Sequence, residues 1–193
     1  LATAPARAEI VGDLVRVGYP SVGGPTEGRD VIRPGAWMPV VVSLHVEGQT
    51  AFDGWIRIAQ RDKDGDLAYD MQKVHLLPEA GPRTYTLYAV AESTAENRAA
   101  PSVELLDNQL NHVDVRTRDG VQSALTPGET PERLYAAQYL ILSVSSRTAG
   151  PVTLIQSTEF ADTFARDLRV AHISPQDLPA RWMGLEIVDA IVW

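Results

Sequence analysis

The residues with the clearest chemical pattern are three aspartates at alternate positions, Asp62, Asp64 and Asp66, in the run Asp62-Lys63-Asp64-Gly65-Asp66. Asp70 follows four residues later. Hard divalent cations take several oxygen ligands, and a glycine lets the backbone turn around them, so the alternation reads as a calcium loop. Position twelve of a helix–loop–helix calcium site must supply a carboxylate, and counted from Asp62 that position is Lys73. Asp-Gly between two strand-like runs is also an ordinary hairpin turn. The plain turn is the stronger reading, and a weak calcium site at Asp62, Asp64 and Asp66 is its alternative.

No other chemistry comes together along the chain. His45, His75, His112 and His172 are far apart and form neither HExxH nor a His-x-His pair. A solitary strand histidine is more often hydrogen-bonded than metal-bound. His45 and His75 fall in strand-like runs and would meet only across a sheet. Ser143-Val144-Ser145-Ser146 closes another such run without a GxSxG elbow, a base or an orienting acid beside it. Gly23-Gly24 precedes no Lys-Ser/Thr and no strand-to-helix turn, which argues against a phosphate loop. Cysteine is absent, so disulfides, thiolate zinc sites and cysteine nucleophiles are excluded. No catalytic or cofactor-binding residue is assigned, and the chain reads as a non-enzyme without a cofactor, calcium apart.

The elements that must carry these residues are strands. Loose alternation marks Glu9 to Val17, Phe52 to Ala59, Leu67 to Leu77 and Thr84 to Ala91, and Trp37 to Val46 is the strongest run. Val103 to Leu106 and Val113 to Arg118 flank the polar insert Asp107-Asn108-Gln109. Tyr139 to Val144 and Val152 to Gln156 read as a further hairpin, and Pro20 to Gly28 as a loop rich in Gly and Pro. Trp37, Phe52, Trp55, Tyr85 and Tyr139 lie in or beside strands, where large rings fill the space between sheets. Short helices are expected over Glu132 to Ala137, after Thr130-Pro131, and over Thr158 to Ala165. The pattern predicts an all-β fold, an antiparallel β-sandwich with one or two short helices.

Composition bounds the partners. The 193 residues are 45% hydrophobic and 22% charged, an ordinary globular balance. With 17 basic against 25 acidic residues the net charge is -8, which argues against nucleic acid and anionic membrane surfaces. No apolar stretch reaches the ~20 residues of a membrane helix. The start Leu1-Ala2-Thr3-Ala4-Pro5-Ala6-Arg7-Ala8 resembles the small-residue end of a signal peptide and predicts an extracytoplasmic setting.

Three stretches follow: 1–8 as a residual signal end or irregular start, 9–173 as the sandwich, and 174–193 as a connector leading into a further domain. In the last, Ile187-Val188-Asp189-Ala190-Ile191-Val192-Trp193 reads as a buried central strand belonging to a second domain. On that reading, removing residues 183–193 leaves the melting temperature nearly unchanged.

Two groups of segments carry a resemblance. The first is Arg33-Pro34-Gly35-Ala36-Trp37-Met38-Pro39-Val40-Val41-Val42 with Phe52-Asp53-Gly54 and the aspartate run; the second is Ser174 to Trp193. The pattern resembles the N-terminal β-sandwich region of large uncharacterised exported bacterial proteins, planctomycete-like ones especially, which implies that the all-β fold is an immunoglobulin-like antiparallel β-sandwich. Those continue into a flavodoxin-like domain of the class I glutamine amidotransferase-like type, often with a membrane anchor further on, and the resemblance implies that 174–193 is the connector and first strand of that missing domain. The resemblance implies no activity for this chain, since its motifs are structural. The expected role is a non-catalytic structural or interaction module, with a protein partner or its own C-terminal domain as the contact. The alternative is a module binding carbohydrate or calcium, the former on exposed aromatic rings.

Overall fold

The computed structural model describes residues 8–22, 27–61, 66–91, 101–147 and 167–193. In chain order the strands are β1 (Glu9–Val17), β2 (Tyr19–Pro20), β3 (Asp30–Ile32), β4 (Trp37–Glu47), β5 (Phe52–Arg61), β6 (Leu67–Leu76), β7 (Arg83–Val90) and β8 (Val103–Asp107). They continue as β9 (His112–Val113), β10 (Val115–Thr117), β11 (Gly120–Gln122), β12 (Ala124–Leu125), β13 (Glu132–Arg133), β14 (Tyr139–Val144), β15 (Leu168–Ile173) and β16 (Ala190–Val192). The helical elements among the described residues are two 3-10 turns, Pro175–Asp177 and Trp182–Leu185. The protein is an all-β sandwich. None of its described helices is long and apolar enough to cross a membrane.

The chain divides into two compact units. The first takes the described residues of Leu1–Val15, Val40–Leu87 and Ala100–Gly128. The second takes the described residues of Arg16–Pro39, Tyr88–Ala99 and Glu129–Trp193.

The first unit is built from sheets ordered β11-β10-β1-β4-β7 and β12-β8-β5-β6, with β9 on β8. The β5–β6 hairpin is its most regular part, running in register from Phe52↔Leu76 to Arg61↔Leu67. Period-two alternation sends Phe52, Ile56 and Ile58 of β5 inward with Val74 and Leu76 of β6. Val40, Val42, Leu44 and Val46 of β4 are buried likewise, each worth about 1.5–3 kcal/mol of apolar transfer. Gly54 has no alternative in this packing: a Cβ there would lie 2.2 Å from the Leu106 carbonyl oxygen. Asp107 closes the β8–β9 turn by accepting the backbone N–H groups of Gln109 at 2.8 Å and Asn111 at 2.9 Å, as its polar insert leads one to expect.

The second unit holds sheets ordered β13-β3-β2 and β15-β14-β16. The latter is wholly parallel, pairing Tyr139↔Leu168 through Val144↔Ile173 and Ile141↔Ala190 through Ser143↔Val192. Its core side carries Leu140, Leu142, Ala171 and Ile173. Parallel pairs also join β1 to β10 and β3 to β13. Such neighbours are remote in sequence, because parallel strands require a crossover connection.

Four expectations need correction. Glu132 to Ala137 is not a helix: Glu132–Arg133 pairs with Val31–Ile32, and the Gln138 side chain accepts the Tyr135 N–H at 2.9 Å, closing a turn. Of the run Ile187–Trp193, only Ala190–Val192 is a strand, and all its residues are exposed at the sheet edge, although Ile187 is fully buried. Tyr139 is exposed rather than in a core, whereas Tyr19 and Tyr88 are buried. Asp30–Ile32 and Leu168–Ile173 are strands that the pattern does not announce. The expected strand Val152–Gln156 and helix Thr158–Ala165 lie outside the described residues, as do residues 1–7 and Gly23-Gly24.

The C-terminal stretch is tied into the second unit by its own backbone. Tyr19 donates its hydroxyl to the Gly184 carbonyl at 2.6 Å, and burial pushes that phenol far above its ordinary pKa. Glu186 accepts the Trp37 N–H at 2.7 Å. Asp189 pairs with Arg33 at 2.6 Å and accepts the Leu140 N–H at 2.7 Å. Arg181 stacks over the Tyr88 ring at 5.5 Å.

Candidate recognition face on strands β5 and β6

Along β6 the apolar residues change face. Leu67, Tyr69 and Met71 are odd-numbered, Val74 and Leu76 even-numbered, so the pleat turns the second pair inward and leaves the first three outside. Leu67, Tyr69 and Met71 are 54%, 48% and 36% exposed. Their cross-strand neighbours on β5 are Arg61, Ala59 and Arg57, and Trp55 stands opposite Lys73 further along the same face. Trp55 is half-buried.

The polar groups on this face hold each other. Arg57 donates from Nε to Glu104 of β8 at 2.5 Å, and its guanidinium lies 5.1 Å from the centroid of the Tyr69 ring. That arrangement immobilises both the cation and the ring. His75 Nδ1 and Asp53 Oδ1 are 2.6 Å apart, and His112 approaches Glu104 at 4.0 Å. Arg83 donates to the His75 carbonyl at 3.2 Å. The outcome is an apolar strip with one anchored ring, an ion pair beside it, and Arg61 and Lys73 at its two ends.

The aspartate motif falls in the β5–β6 connection. Asp62 and Asp64 lie outside the described residues, and Asp66 is exposed just before β6. Among the described residues no group of three or more His, Asp or Glu could hold a metal ion. The histidines are dispersed: His45 faces Glu47 at 3.9 Å, in a different sheet from His75. The fold does bring together one pair the sequence keeps apart, His172 Nδ1 and Ser143 Oγ, at 3.4 Å on adjacent strands. Ser143 is buried, the separation is long for a hydrogen bond, and among the described residues no carboxylate is paired with the His172 imidazole. Other exposed rings, Tyr135, Tyr139, Trp182 and Trp193, belong to the second unit.

What sequence reasoning missed is the strip on β6, because strand aromatics are assigned to cores by default. The parity change between Met71 and Val74 is the signal that reveals it.

No protein-family model matches the chain, and no curated protein does. Among solved structures it is similar to a Paenibacillus sp. cycloisomaltooligosaccharide glucanotransferase complexed with cycloisomaltoheptaose, at 16% identity and a TM-score of 0.28. The match covers 81% of this chain and 19% of that one, so the chain spans about a fifth of the enzyme's length. A superposition that loose carries no argument about function.

Proposed function

We propose that the protein is a non-catalytic recognition module that engages its ligand through the outer face of β5 and β6. The observation that carries this reading is the exposed row Leu67, Tyr69 and Met71, with Arg57 stacked on Tyr69 and held by Glu104. Singly exposed apolar residues are ordinary on protein surfaces, but a contiguous row beside an anchored cation is the composition of a contact patch. The non-catalytic part rests on the side chains of the described residues, among which the Ser143–His172 pair has no orienting acid, and Ser143 is buried away from a substrate. The Ala-rich segment Leu1 to Ala8 supports placing the module outside the cytoplasm, in an exported protein.

The test is a comparison of the protein with its Tyr69→Ala/Met71→Ala variant on two immobilised panels, one of polysaccharides and one of extended peptides. The proposal expects a ligand in one panel whose affinity drops at least tenfold in the variant, while the melting temperatures agree. Equal binding by both proteins, or binding by neither, overturns it.

A further inference from the structure

Resting on that reading of the face, we infer that its ligand is a neutral polysaccharide chain lying along Leu67, Tyr69 and Met71. Three features select this class. First, the cation in the middle of the strip is already engaged. Arg57 is committed to Glu104 at 2.5 Å, and Arg61 and Lys73 stand at the two ends of the strip, so its middle offers a charged chain little uncancelled field. A sugar ring needs none, because its hydroxyls carry no net charge and accept or donate to paired ionic groups equally well. Second, the apolar surface is one side chain wide. Leu67 to Met71 covers four residue steps of strand, ~13 Å, which suits a narrow linear ligand. A protein partner needs roughly 800 Å² of complementary surface, which a strip of three side chains does not supply. Third, the strand is poorly disposed to pair with a peptide. The His75 carbonyl already accepts from Arg83, and Lys73 sits within β6 as the kind of charge that discourages edge pairing. The floor that remains is the part of the Tyr69 ring that Arg57 leaves exposed, against which the C–H face of a pyranose stacks while its hydroxyls meet Arg57 and Glu104.

Native affinity electrophoresis tests this, with dextran, xylan, mannan or a soluble β-glucan cast in the gel and alginate as the anionic control. The expected result is retardation by at least one neutral polymer that persists in 0.3 M salt (about a 6 Å screening length). Tyr69→Ala should weaken it at least tenfold, and Tyr69→Phe should keep it, since the ring and not the hydroxyl supplies the stacking surface. Retardation by alginate alone, or retardation abolished by salt, overturns the inference. So does its absence in every neutral gel when a peptide ligand sensitive to Tyr69→Ala exists, although the recognition face then stands. Absence of any ligand in both formats overturns face and inference together.

Discussion

Asp30 shows how a single carboxylate couples this fold to pH. Its Oδ2 accepts the Val17 N–H at 2.7 Å. Loss of hydration is the main influence on the group and raises its pKa above the ordinary 3.8, against the lowering effects of the Val17 N–H and of Arg16. The folded state therefore binds this proton more readily than the unfolded one. The associated stability is complete below the ordinary carboxylate pKa and is lost as pH rises through the higher folded value. Asn at this position keeps an oxygen for the Val17 N–H and carries no charge to desolvate. Asp30→Asn is thus expected to raise the melting temperature at pH 7 and to leave it unchanged or lower in acid. Thermal melts of both proteins from pH 3 to pH 8 check the crossing. Gly184 makes a second prediction at this scale. A Cβ there would lie 2.4 Å from Pro179 Cβ and 2.8 Å from the Tyr88 ring, and its carbonyl must stay under the Tyr19 hydroxyl. Gly184→Ala should cost about 1–3 kcal/mol in urea unfolding.

At the scale of elements, the C-terminal segment is the instructive case. Read alone, Ile187–Trp193 is a strand awaiting a domain, and its removal looks harmless. Folded, Ile187 is fully buried, Gly184 supplies the acceptor for a buried phenol, and Asp189 joins Arg33 to the β14 backbone. Each buried partner left unsatisfied costs about 1–3 kcal/mol, and the buried Ile187 side chain is worth about 1.5–3 kcal/mol. Deleting residues 183–193 should accordingly lower the melting temperature by more than ~10 °C. The narrower change Asp189→Ala should cost about 1–3 kcal/mol by leaving the Leu140 N–H without its acceptor. An unchanged melt on deletion would restore the reading of the segment as a foreign strand.

For the molecule as a whole, connectivity governs cooperativity. The chain passes from one compact unit to the other within β1, after residue 15, within β4, after residue 39, and within β7, after residue 87. Neither unit is a contiguous segment, and a strand cannot keep its ladder in one half while losing the other at no cost. Calorimetry should therefore show one unfolding transition with matching calorimetric and van 't Hoff enthalpies; two resolved peaks would contradict this. The aspartate motif is tested on the same instrument. The β5–β6 ladder is fully paired up to Arg61↔Leu67, so the two strands hold their register without an ion. Calcium added to the chelated protein should leave the melt unchanged, and a saturable rise would make Asp62, Asp64 and Asp66 a site.

Alternation and turn chemistry are local properties, so the sequence by itself determined the all-β class and the long strands. Glu9–Val17 and Tyr139–Val144 match the structure at both ends, and the Asp107 turn follows from side-chain bonding to nearby backbone. It also excluded thiol chemistry, because no cysteine exists to perform it. Only the tertiary structure decided which strands are neighbours. Parallel pairs such as β14 with β15 and β16 join segments whose patterns carry no mark of their partner. It alone turned Leu67, Tyr69 and Met71 outward and set Arg57 and Glu104, 47 residues apart, beside that row. A period of two says that successive side chains point to opposite faces. Which face meets the core depends on what the rest of the chain places against it.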